Sequence, residues 1–420
     1  MRHRTLAAFA ASLALAVLSG AASAGDYGHD NDHDYGRDRG DQSIQLGERP
    51  FFLVEGMDPG PLKSRLLKCE KGPFRRTDFS IAHRGAPLQM PEHTKEAYVA
   101  GARMGAGVVE CDVTFTKDGQ LVCRHDECDL HTTTNIVNTE LNASCSVPWS
   151  GANSGPKCCT SDITLSQFRT LKGKMDASNP AATTAAGYLG GTASFRTDLY
   201  NSRGTLLTLK ESIALNRSLG VKHTPELKAG NPARVTHVFG SQADYAQAMI
   251  NEFKRAHVDP RDVWAQSFNL DDVVYWVQHE QAFGRQAVYL DDVDPSVGIP
   301  PLTAAELRDV RRKGVRIFAP PIPALLAVDS NDKVVPSQYA RDIKSAGLGI
   351  ITWSFERADL RQGASKAGFY YAFDPEGRAI KKDSDMYYAL DTLAQDVGVI
   401  GIFSDWPATV SYYASCMGFD

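Results

Sequence analysis

Short apolar runs alternate with longer stretches of helical periodicity from Phe79 almost to the end of the chain. Apolar runs of about four to eight residues predict buried strands, and apolar residues three or four apart predict helices with one buried face. Strands are predicted at 79–83, 108–115, 120–125, 222–227, 263–268, 286–290, 315–319, 349–354 and 399–404. Helices are predicted, among other places, at 94–104, 207–219, 241–256, 270–283, 303–313, 337–346 and 386–397.

Repeated alternation of strands and helices over this length predicts an α/β fold, in which a parallel sheet closes into a (β/α)8 TIM barrel. Nine candidate strands are one more than such a barrel needs, and the pattern does not say which one lies outside it. The alternation fails between the second and third candidates, which are joined by a tight turn at Lys117, Asp118 and Gly119.

The alternation fails again over about 127–206, where Ser, Thr, Asn and Gly are frequent and periodicity is weak. We interpret this stretch as a long insertion after the third strand, on the barrel face where active-site loops gather. The alternative is a separate small domain, but the low apolar content argues against an independent core.

The N-terminus has the pattern of a secretory signal peptide. A basic start with Arg2 and Arg4 precedes an apolar stretch from about Leu6 to Val17, and small residues up to Ala24 fit a cleavage site. A membrane anchor fits less well, because the stretch is short and no second long apolar run follows. We therefore predict a signal peptide at 1–24 cleaved after Ala24, a secreted or periplasmic protein, and no transmembrane segment.

The remaining chain divides into a tail and one domain. Residues 25–50 begin with a polar, low-complexity segment and are predicted to be a disordered linker, and 51–420 are predicted to form the barrel domain. The chain has 45 Lys and Arg against 50 Asp and Glu, a formal net charge of −5 that does not favour a nucleic-acid partner.

All eight cysteines follow the predicted cleavage site, and an even number in an exported protein predicts disulfides. Their pairing does not follow from the sequence. One bridge is expected to staple the loop that contains Cys145, Cys158 and Cys159.

Glu110 and Asp112 stand two residues apart within the apolar run at 108–115. Residues two apart on a strand share a face, so both carboxylates point the same way and Cys111 points the other way. Two like charges on a buried face are costly unless a partner neutralises them. Carboxylate oxygens suit Ca²⁺, Mg²⁺ or Mn²⁺, so the pair indicates a cation site unless it faces solvent on an edge strand.

Other polar residues end neighbouring predicted strands. His83 and Arg84 end the first strand, His125 ends the third, and Glu226 and Lys228 end the fourth. Catalytic residues of barrel enzymes come from the C-terminal ends of several strands, so these groups are expected to meet at one mouth. Packing alone does not explain so many charged and titratable groups converging there.

The ordered set of motifs resembles the glycerophosphodiester phosphodiesterases, and the long insertion resembles that of their larger exported members. The motifs are HRG at 83–85, PEHT at 91–94, ECD at 110–112, RHD at 124–126, PELK at 225–228, WSF at 353–355 and FSDWP at 403–407. The resemblance spans about Phe79 to Pro407. It implies a metal-dependent (β/α)8 barrel that hydrolyses small glycerophosphodiesters to an alcohol and sn-glycerol 3-phosphate.

The resemblance implies a catalytic role for five of these residues. Glu110, Asp112 and Glu226 would hold one divalent cation, Ca²⁺ or Mg²⁺. His83 and His125 would be the general acid and base, with His83 as the first base by analogy. Their chemistry agrees, because imidazoles can exchange protons near neutral pH and a cation neutralises phosphate charge.

The resemblance also implies how the substrate is bound. Arg84 and Lys228 would bind the phosphate, while Trp353 and Phe268 would line a glycerol pocket. The chain departs from the family pattern at four positions. His93 replaces a usual Asn and is interpreted as a structural residue at a helix start, or else a substrate contact. Ser354, Glu356 and Ser404 also depart from the usual residues, which bears on the alcohol head group more than on the reaction.

We expect the glycerol 2-hydroxyl to attack the phosphorus in line, giving a cyclic phosphate that water then opens. One alternative is a phospholipase D-like phosphodiesterase or lyase that acts on lysophospholipids or sphingolipids and stops at the cyclic product. Another is a non-catalytic surface barrel. The sequence leaves open the metal, the preferred head group, the disulfide pairing and the oligomeric state.

Overall fold

The computed structural model describes residues 44–419. The predicted signal peptide and residues 25–43 of the predicted linker lie outside the described residues. Within the rest of that linker Leu46 is buried, and the first helix begins at Arg49. Packed structure therefore begins slightly before the domain boundary that the sequence predicts.

Eleven strands are present among the described residues. They are β1 Thr77–Ala82, β2 Ala106–Phe115, β3 Leu121–Cys123, β4 Lys222–Leu227, β5 Gln266–Ser267, β6 Val288–Leu290, β7 Ile317–Ala319, β8 Leu326–Val328, β9 Val334–Pro336, β10 Gly349–Phe355 and β11 Gly401–Ser404. The nine predicted strands correspond to the nine strands of one sheet, and β8 and β9 form a separate antiparallel pair.

The α-helices of residues 44–419 lie mostly between these strands. They are α1 Arg49–Gly56, α2 Pro61–Lys68, α3 Lys95–Arg103, α4 Leu130–Thr133, α5 Leu165–Phe168, α6 Ala185–Tyr188, α7 Leu209–Ser218, α8 Pro232–Phe239, α9 Gln242–Arg255, α10 Leu270–His279, α11 Gln281–Gly284, α12 Ala304–Arg312, α13 Ile322–Leu325, α14 Gln338–Ser345, α15 Met386–Asp391 and α16 Pro407–Met417. A π-helix, Thr392–Val397, follows α15 directly.

Eight strands run parallel and close into a barrel in chain order, because β11 pairs with β1 and β1 pairs with β2. This confirms the predicted (β/α)8 fold. The surplus strand is β3, which pairs antiparallel with β2 through the Asp-Gly turn and stays outside the ring. Every residue of β2 is buried, as expected of a strand covered on both faces.

Two layers of apolar side chains hold the barrel together. Inside the ring, Ile81, Val108, Leu290, Ile351 and Phe403 belong to a small cluster that draws on six strands. A much larger cluster lies between the strands and the surrounding helices. The closed ring fixes the C-terminal ends of the strands around one mouth.

The insertion contains a small apolar cluster that also takes in Val122 of β3. Ile136, Ile163, Phe168, Leu171 and Tyr188 belong to a buried cluster separate from the main core. Few apolar residues suffice because two disulfides, Cys128–Cys159 and Cys145–Cys158, cross-link this short chain segment. The second of these is a bridge of the kind that the sequence predicted for this loop.

The other two disulfides bind the barrel itself. Cys111 and Cys123 join β2 to β3, and Cys69 joins the end of α2 to Cys416 in α16. Cys111 thus points away from the face that carries Glu110 and Asp112, as the strand alternation predicts. Among the described residues, no helix combines the length and the apolar character needed to cross a bilayer.

Candidate active site

A cavity of about 570 Å³ opens at the mouth formed by the C-terminal ends of the barrel strands. Eight of the nine residues singled out from the sequence line it: His83, Arg84, Glu110, His125, Glu226, Lys228, Phe268 and Trp353. The ninth, Asp112, is buried beside them with 1 % of its surface exposed. The structure thus brings together groups that are up to 270 positions apart in sequence, from His83 to Trp353.

The three carboxylates meet because of the strand register. Glu110 and Asp112 share one face of β2, and Glu226 of β4 lies directly opposite Asp112 in the parallel pair. One oxygen of each carboxylate falls within 4.8 Å of the others. Within residues 44–419 the buried Oδ1 of Asp112 has no hydrogen-bond partner. A buried carboxylate oxygen left without a partner, in a group of three, fits a hard divalent cation.

The pKa values of the three carboxyl groups all depart from their usual range. Burial, together with repulsion by Asp112 and Glu226, raises the pKa of Glu110 well above its usual range. Burial raises the pKa of Glu226 to about 7, against the attraction of Lys228. Burial acts on Asp112 too, but His93 and Lys228 outweigh it and hold the pKa of Asp112 well below its usual range. Three such groups coexist most easily around added positive charge.

Glu110 is held in place from two sides. Its Oε1 accepts a hydrogen bond from Gln266 Nε2 at 2.9 Å, and its Oε2 accepts one from the backbone N–H of Arg84 at 2.9 Å. Arg84 has a φ of +52°, a conformation uncommon for residues other than glycine. This turn directly after β1 aims the Arg84 amide at the carboxylate.

His83 is oriented by a carboxylate from the last strand end. Its Nδ1 lies 2.6 Å from Asp405 Oδ1, and its Nε2 lies 3.8 Å from Glu110 Oε2. Burial and the neighbouring Arg84 lower the pKa of His83 to about 4, although Asp405 acts in the opposite direction. Asp405 stands in the FSDWP motif, but its contact with His83 is not evident from sequence spacing.

His125 follows β3 by two residues and lines the cavity. Burial, with Arg84 and Lys228 nearby, lowers the pKa of His125 well below its usual range. β3 stands outside the barrel ring, yet its antiparallel pairing with β2 carries His125 to the same mouth.

Arg84 and Lys228 are each paired with a carboxylate. Arg84 Nη1 donates to Glu92 Oε2 at 2.9 Å, and Lys228 Nζ lies 2.6 Å from Glu226 Oε1. Burial alone would lower the pKa of Lys228, but Glu226 and Asp112 outweigh it and raise that pKa. Both side chains therefore present positive charge to the cavity.

An aromatic wall closes one side of the cavity. Phe268 and Trp353 meet edge to face at 5.9 Å, and Trp353 also meets Tyr370 at 6.3 Å. The indole Nε1 of Trp353 donates to the carbonyl oxygen of Ala319 at 2.9 Å, which fixes the ring. Tyr370 was not singled out from the sequence, because it lies in a loop without a recognisable motif.

His93 is a structural residue in this site. It is fully buried, its Nε2 lies 2.8 Å from Asp112 Oδ2 and its Nδ1 lies 3.0 Å from the Tyr98 hydroxyl. Glu356, another departure from the family pattern, is buried and pairs with Arg49 of α1 at 2.5 Å. Ser354 and Ser404 are likewise buried within the ends of β10 and β11.

Sequence reasoning missed a chain of ion pairs that joins the insertion to His83. Arg357 Nη1 donates to Asp405 at 2.9 Å and its Nη2 donates to Asp176 at 2.7 Å. Asp176, from the insertion, also accepts a hydrogen bond from Arg196. Asp176 and Arg357 both line the cavity. No local motif marks these residues, since their partners come from distant segments.

Comparison with known proteins finds a matching family model and several similar proteins. The model of the glycerophosphoryl diester phosphodiesterase family matches residues 83–409. A protein of Arthroderma benhamiae named "Extracellular protein" is 44 % identical over 245 residues, covering 58 % of this chain and 99 % of that protein. A glycerophosphodiester phosphodiesterase of Arabidopsis thaliana is 22 % identical over 377 residues, covering 84 % of this chain and 90 % of its own length.

The fold has a counterpart among solved structures. A crystal structure of a protein described as a glycerophosphoryl diester phosphodiesterase from Silicibacter pomeroyi superposes with a TM-score of 0.53 at 18 % identity. The superposition covers 83 % of this chain and 96 % of the other. At this identity the likeness supports the barrel fold.

Proposed function

The chain belongs to the glycerophosphoryl diester phosphodiesterase family, and we propose that it hydrolyses glycerophosphodiesters with one divalent cation and two histidines. The products are an alcohol and sn-glycerol 3-phosphate. The observation that carries the proposal is the meeting of three buried carboxylates with His83 and His125 around one cavity.

Glu110, Asp112 and Glu226 are the proposed cation ligands, and Ca²⁺ and Mg²⁺ both suit an all-oxygen set. When bound, the cation supplies positive charge that neutralises the phosphate and the charge developing on its oxygens. His93 and Gln266 hold two of these carboxylates in place through hydrogen bonds at 2.8 Å and 2.9 Å.

Arg84 and Lys228 are the proposed phosphate ligands. Both line the cavity and both are positively charged. A phosphodiester carries one negative charge, and preorganised cations stabilise the further charge that builds up in the transition state. Phe268 and Trp353 offer an apolar wall for the carbon skeleton of glycerol.

His83 is the proposed first base. Its Nδ1 is engaged by Asp405, so Nε2 is the nitrogen that can take the proton of the glycerol 2-hydroxyl. The hydroxyl oxygen then bonds to phosphorus, the bond from phosphorus to the head-group oxygen breaks, and His125 protonates that oxygen. Water then attacks the phosphorus of the cyclic phosphate: His125 takes its proton, the bond from phosphorus to the 2-oxygen breaks, and His83 returns a proton to that oxygen to give glycerol 3-phosphate.

The reaction is tested by incubating the chain from Gly25 onward with glycerophosphocholine and excess Ca²⁺ or Mg²⁺, followed by phosphorus NMR. Glycerol 3-phosphate is expected only with metal, and not with EDTA or in His125→Ala. The exposed His237 provides a matched His→Ala control that should keep full activity.

Two results would point elsewhere. A cyclic phosphate that persists would favour the phospholipase D-like lyase. Metal binding without turnover of any glycerophosphodiester would favour a non-catalytic barrel and contradict the proposal.

We also propose that the protein is exported and cut after Ala24. The four disulfides support this, because such bonds persist in oxidising compartments. The relative named "Extracellular protein" supports it too. N-terminal sequencing of the protein recovered outside the cytoplasm should begin at Gly25. A start at Met1 would contradict the cleavage.

A further inference from the structure

The wall of the catalytic cavity that the insertion supplies is polar and acidic, and the reaction described above makes no use of it. Among the described lining residues, those of the insertion are Asp129, Thr132, Thr133, Asp176, Ala177 and Ser178. Two of them are aspartates, and none is basic or aromatic. Elsewhere the lining includes the apolar side chains of Phe268 and Trp353. The two ends of a bound phosphodiester therefore meet different surroundings.

The order of residues along the chain places this acidic wall beside the leaving group. His125, the proposed proton donor to the head-group oxygen, precedes Asp129 by four residues, and both line the cavity. α4 begins directly after Asp129, whose carbonyl oxygen accepts hydrogen bonds from the backbone N–H groups of Thr132 and Thr133 at 2.9 Å and 3.0 Å. The head group is therefore expected to lie against the insertion, and the glycerol against the aromatic wall.

Asp129 carries a buried carboxyl group that can accept further hydrogen bonds. The residue is 8 % exposed, and its Oδ2 accepts one long hydrogen bond, from the backbone N–H of Asp126 at 3.4 Å. Its Oδ1 has no hydrogen-bond partner among the described residues. Buried polar atoms of folded proteins have partners, so an oxygen without one at a cavity indicates a ligand that donates a hydrogen bond.

The other aspartate of this wall has no such capacity. Asp176 Oδ2 accepts a hydrogen bond from Arg357 at 2.7 Å, and its Oδ1 accepts one from Arg196. Two guanidinium groups thus balance the Asp176 charge. Asp129 is left as the carboxyl group of this wall that can receive a cation from the substrate.

The charge of Asp129 is only weakly balanced by the protein. Burial raises the pKa of Asp129 to about 7, against the attraction of Arg124. Glu92 and Asp126 act in the same direction as burial. A positive group in the cavity would favour the ionised carboxylate and would be attracted by it.

The hydroxyl groups of the same wall can act as further acceptors. Thr132 Oγ1 and Thr133 Oγ1 both donate to the carbonyl oxygen of Asp129, at 2.9 Å and 3.1 Å. Each hydroxyl oxygen then has only lone pairs to offer to another partner. Acceptors of this kind suit a cation with N–H groups. A quaternary ammonium group is bound by aromatic faces instead, and the insertion contributes none to this wall.

We propose that Asp129 binds a primary ammonium group on the substrate, so that glycerophosphoethanolamine is preferred over glycerophosphocholine. The inference rests on the proposed function and names the class of head group. The ammonium would donate to the Asp129 carboxylate while the head-group oxygen takes its proton from His125. The reaction is otherwise unchanged, and its products are ethanolamine and sn-glycerol 3-phosphate.

The test uses substrates that keep the positive charge and differ in the number of N–H donors. The series runs from glycerophosphoethanolamine through its N-methyl and N,N-dimethyl derivatives to glycerophosphocholine, which has no N–H group. We expect kcat/KM to fall along the series, by about tenfold or more between its ends, because the charged hydrogen bond is lost. Release of glycerol 3-phosphate is measured for each substrate at the same pH and metal concentration.

Two variants assign the preference to Asp129. Asp129→Asn removes the charge at nearly constant size and should bring the ratio of kcat/KM between the ends of the series to within about twofold of one. Asp129→Glu keeps the charge and should retain part of the preference. Asp198→Asn, at an exposed position of the same insertion, is the matched control and should keep the full preference.

The outcomes separate the inference from its premise. Equal turnover of all the substrates by the wild type would overturn the ammonium site and leave the proposed function standing. A preference that survives in Asp129→Asn would overturn it as well. So would a loss in that variant that is equal on every substrate, since Asp129 would then only hold the segment after His125. Failure of the wild type on the whole series would overturn both.

Discussion

Asp405 and His83 stand 322 residues apart in sequence and 2.6 Å apart in space. A carboxylate on one nitrogen of an imidazole fixes the ring and leaves the other nitrogen free for proton transfer. We therefore expect Asp405 to position His83 for its proposed role. The second oxygen of Asp405 accepts a hydrogen bond from Arg357, so the carboxylate itself is held on both sides.

Asp405→Asn should lower kcat for glycerophosphocholine by about a hundredfold or more, because an amide can donate to Nδ1 and favour the wrong tautomer. KM and metal affinity should change by less than about threefold, since Asp405 stands apart from the three carboxylates. Steady-state kinetics and a calcium titration measure these quantities. Asp198→Asn, at an exposed position, is the control. An equal loss of metal affinity would indicate a general collapse of the site.

Asp291 lies outside the proposed cation site, and its ionisation should make the stability of the folded protein depend on pH. Burial raises its pKa to about 6, although its hydrogen bond with Tyr339 acts in the other direction. A carboxyl group with a raised pKa holds its proton more tightly in the folded state. Its presence therefore costs stability progressively as the pH rises from about 4 to about 6, and the cost stays constant above that.

Asp291→Asn removes the ionisation and keeps an acceptor for the Tyr339 hydroxyl. The free energy of unfolding of the variant should match the wild type near pH 4 and exceed it by up to about 3 kcal/mol at pH 8. Urea unfolding at both pH values measures the difference, with Asp198→Asn as control. A difference that shrinks as pH rises would contradict the assigned pKa.

The residues of the site differ in how far the sequence predicts them. Glu110 and Asp112 follow from strand alternation, which acts over two residues. Their meeting with Glu226 follows from parallel pairing of the strands that carry them. Asp176 and Arg357 could not be predicted, because their pairing depends on where a long irregular insertion folds back.

At the scale of elements, periodicity predicted all nine strands of the main sheet but not which one leaves the ring. β3 is as apolar as its neighbours, and only its antiparallel pairing with β2 sets it apart. The hairpin of β8 and β9 was missed, since its strands are three residues long and the second ends in Pro336. Short strands carry too few residues for a period to be recognised.

The insertion forms part of the lining of the catalytic cavity. Asp129, Thr132, Asp176 and Ser178 from it line the catalytic cavity. Arg196 ties it to the barrel, because its guanidinium donates to the carbonyl oxygen of Pro87, which follows β1, and it also donates to Asp176 within the insertion.

Arg196→Ala should therefore loosen the insertion while leaving the proposed catalytic groups in place. We expect KM for glycerophosphocholine to rise roughly five- to tenfold with kcat within about twofold, in line with the loss of a charged hydrogen bond. Limited proteolysis should cut between 177 and 203 faster than in the wild type. Arg203→Ala, an arginine of the same insertion, is the matched control. A fall in kcat with unchanged KM would mean that Arg196 acts on His83 through Arg357 instead.

At the scale of the whole molecule, the disulfides divide into long-range and local bridges. Cys69–Cys416 closes a loop with a sequence separation of 347, whereas Cys111–Cys123 closes one of only 12. A cross-link lowers the entropy of the unfolded chain more when the loop is longer. The 69–416 bridge should therefore stabilise the folded state more than the 111–123 bridge does.

Replacing Cys69 and Cys416 together by Ser should lower the free energy of unfolding by up to about 5 kcal/mol, because the ends of the domain lose their cross-link. Activity at 25 °C should remain, since neither residue lines the catalytic cavity.

Replacing Cys111 and Cys123 should cost less stability, about 3 kcal/mol, yet reduce kcat and metal affinity, because Cys111 stands between Glu110 and Asp112 on β2. Non-reducing thermal unfolding, calcium titration and steady-state kinetics on both double variants distinguish these effects. If the 69–416 variant lost activity without losing stability, the long-range bridge would be acting on the site through α16, whose first residue, Pro407, follows Asp405 by two positions.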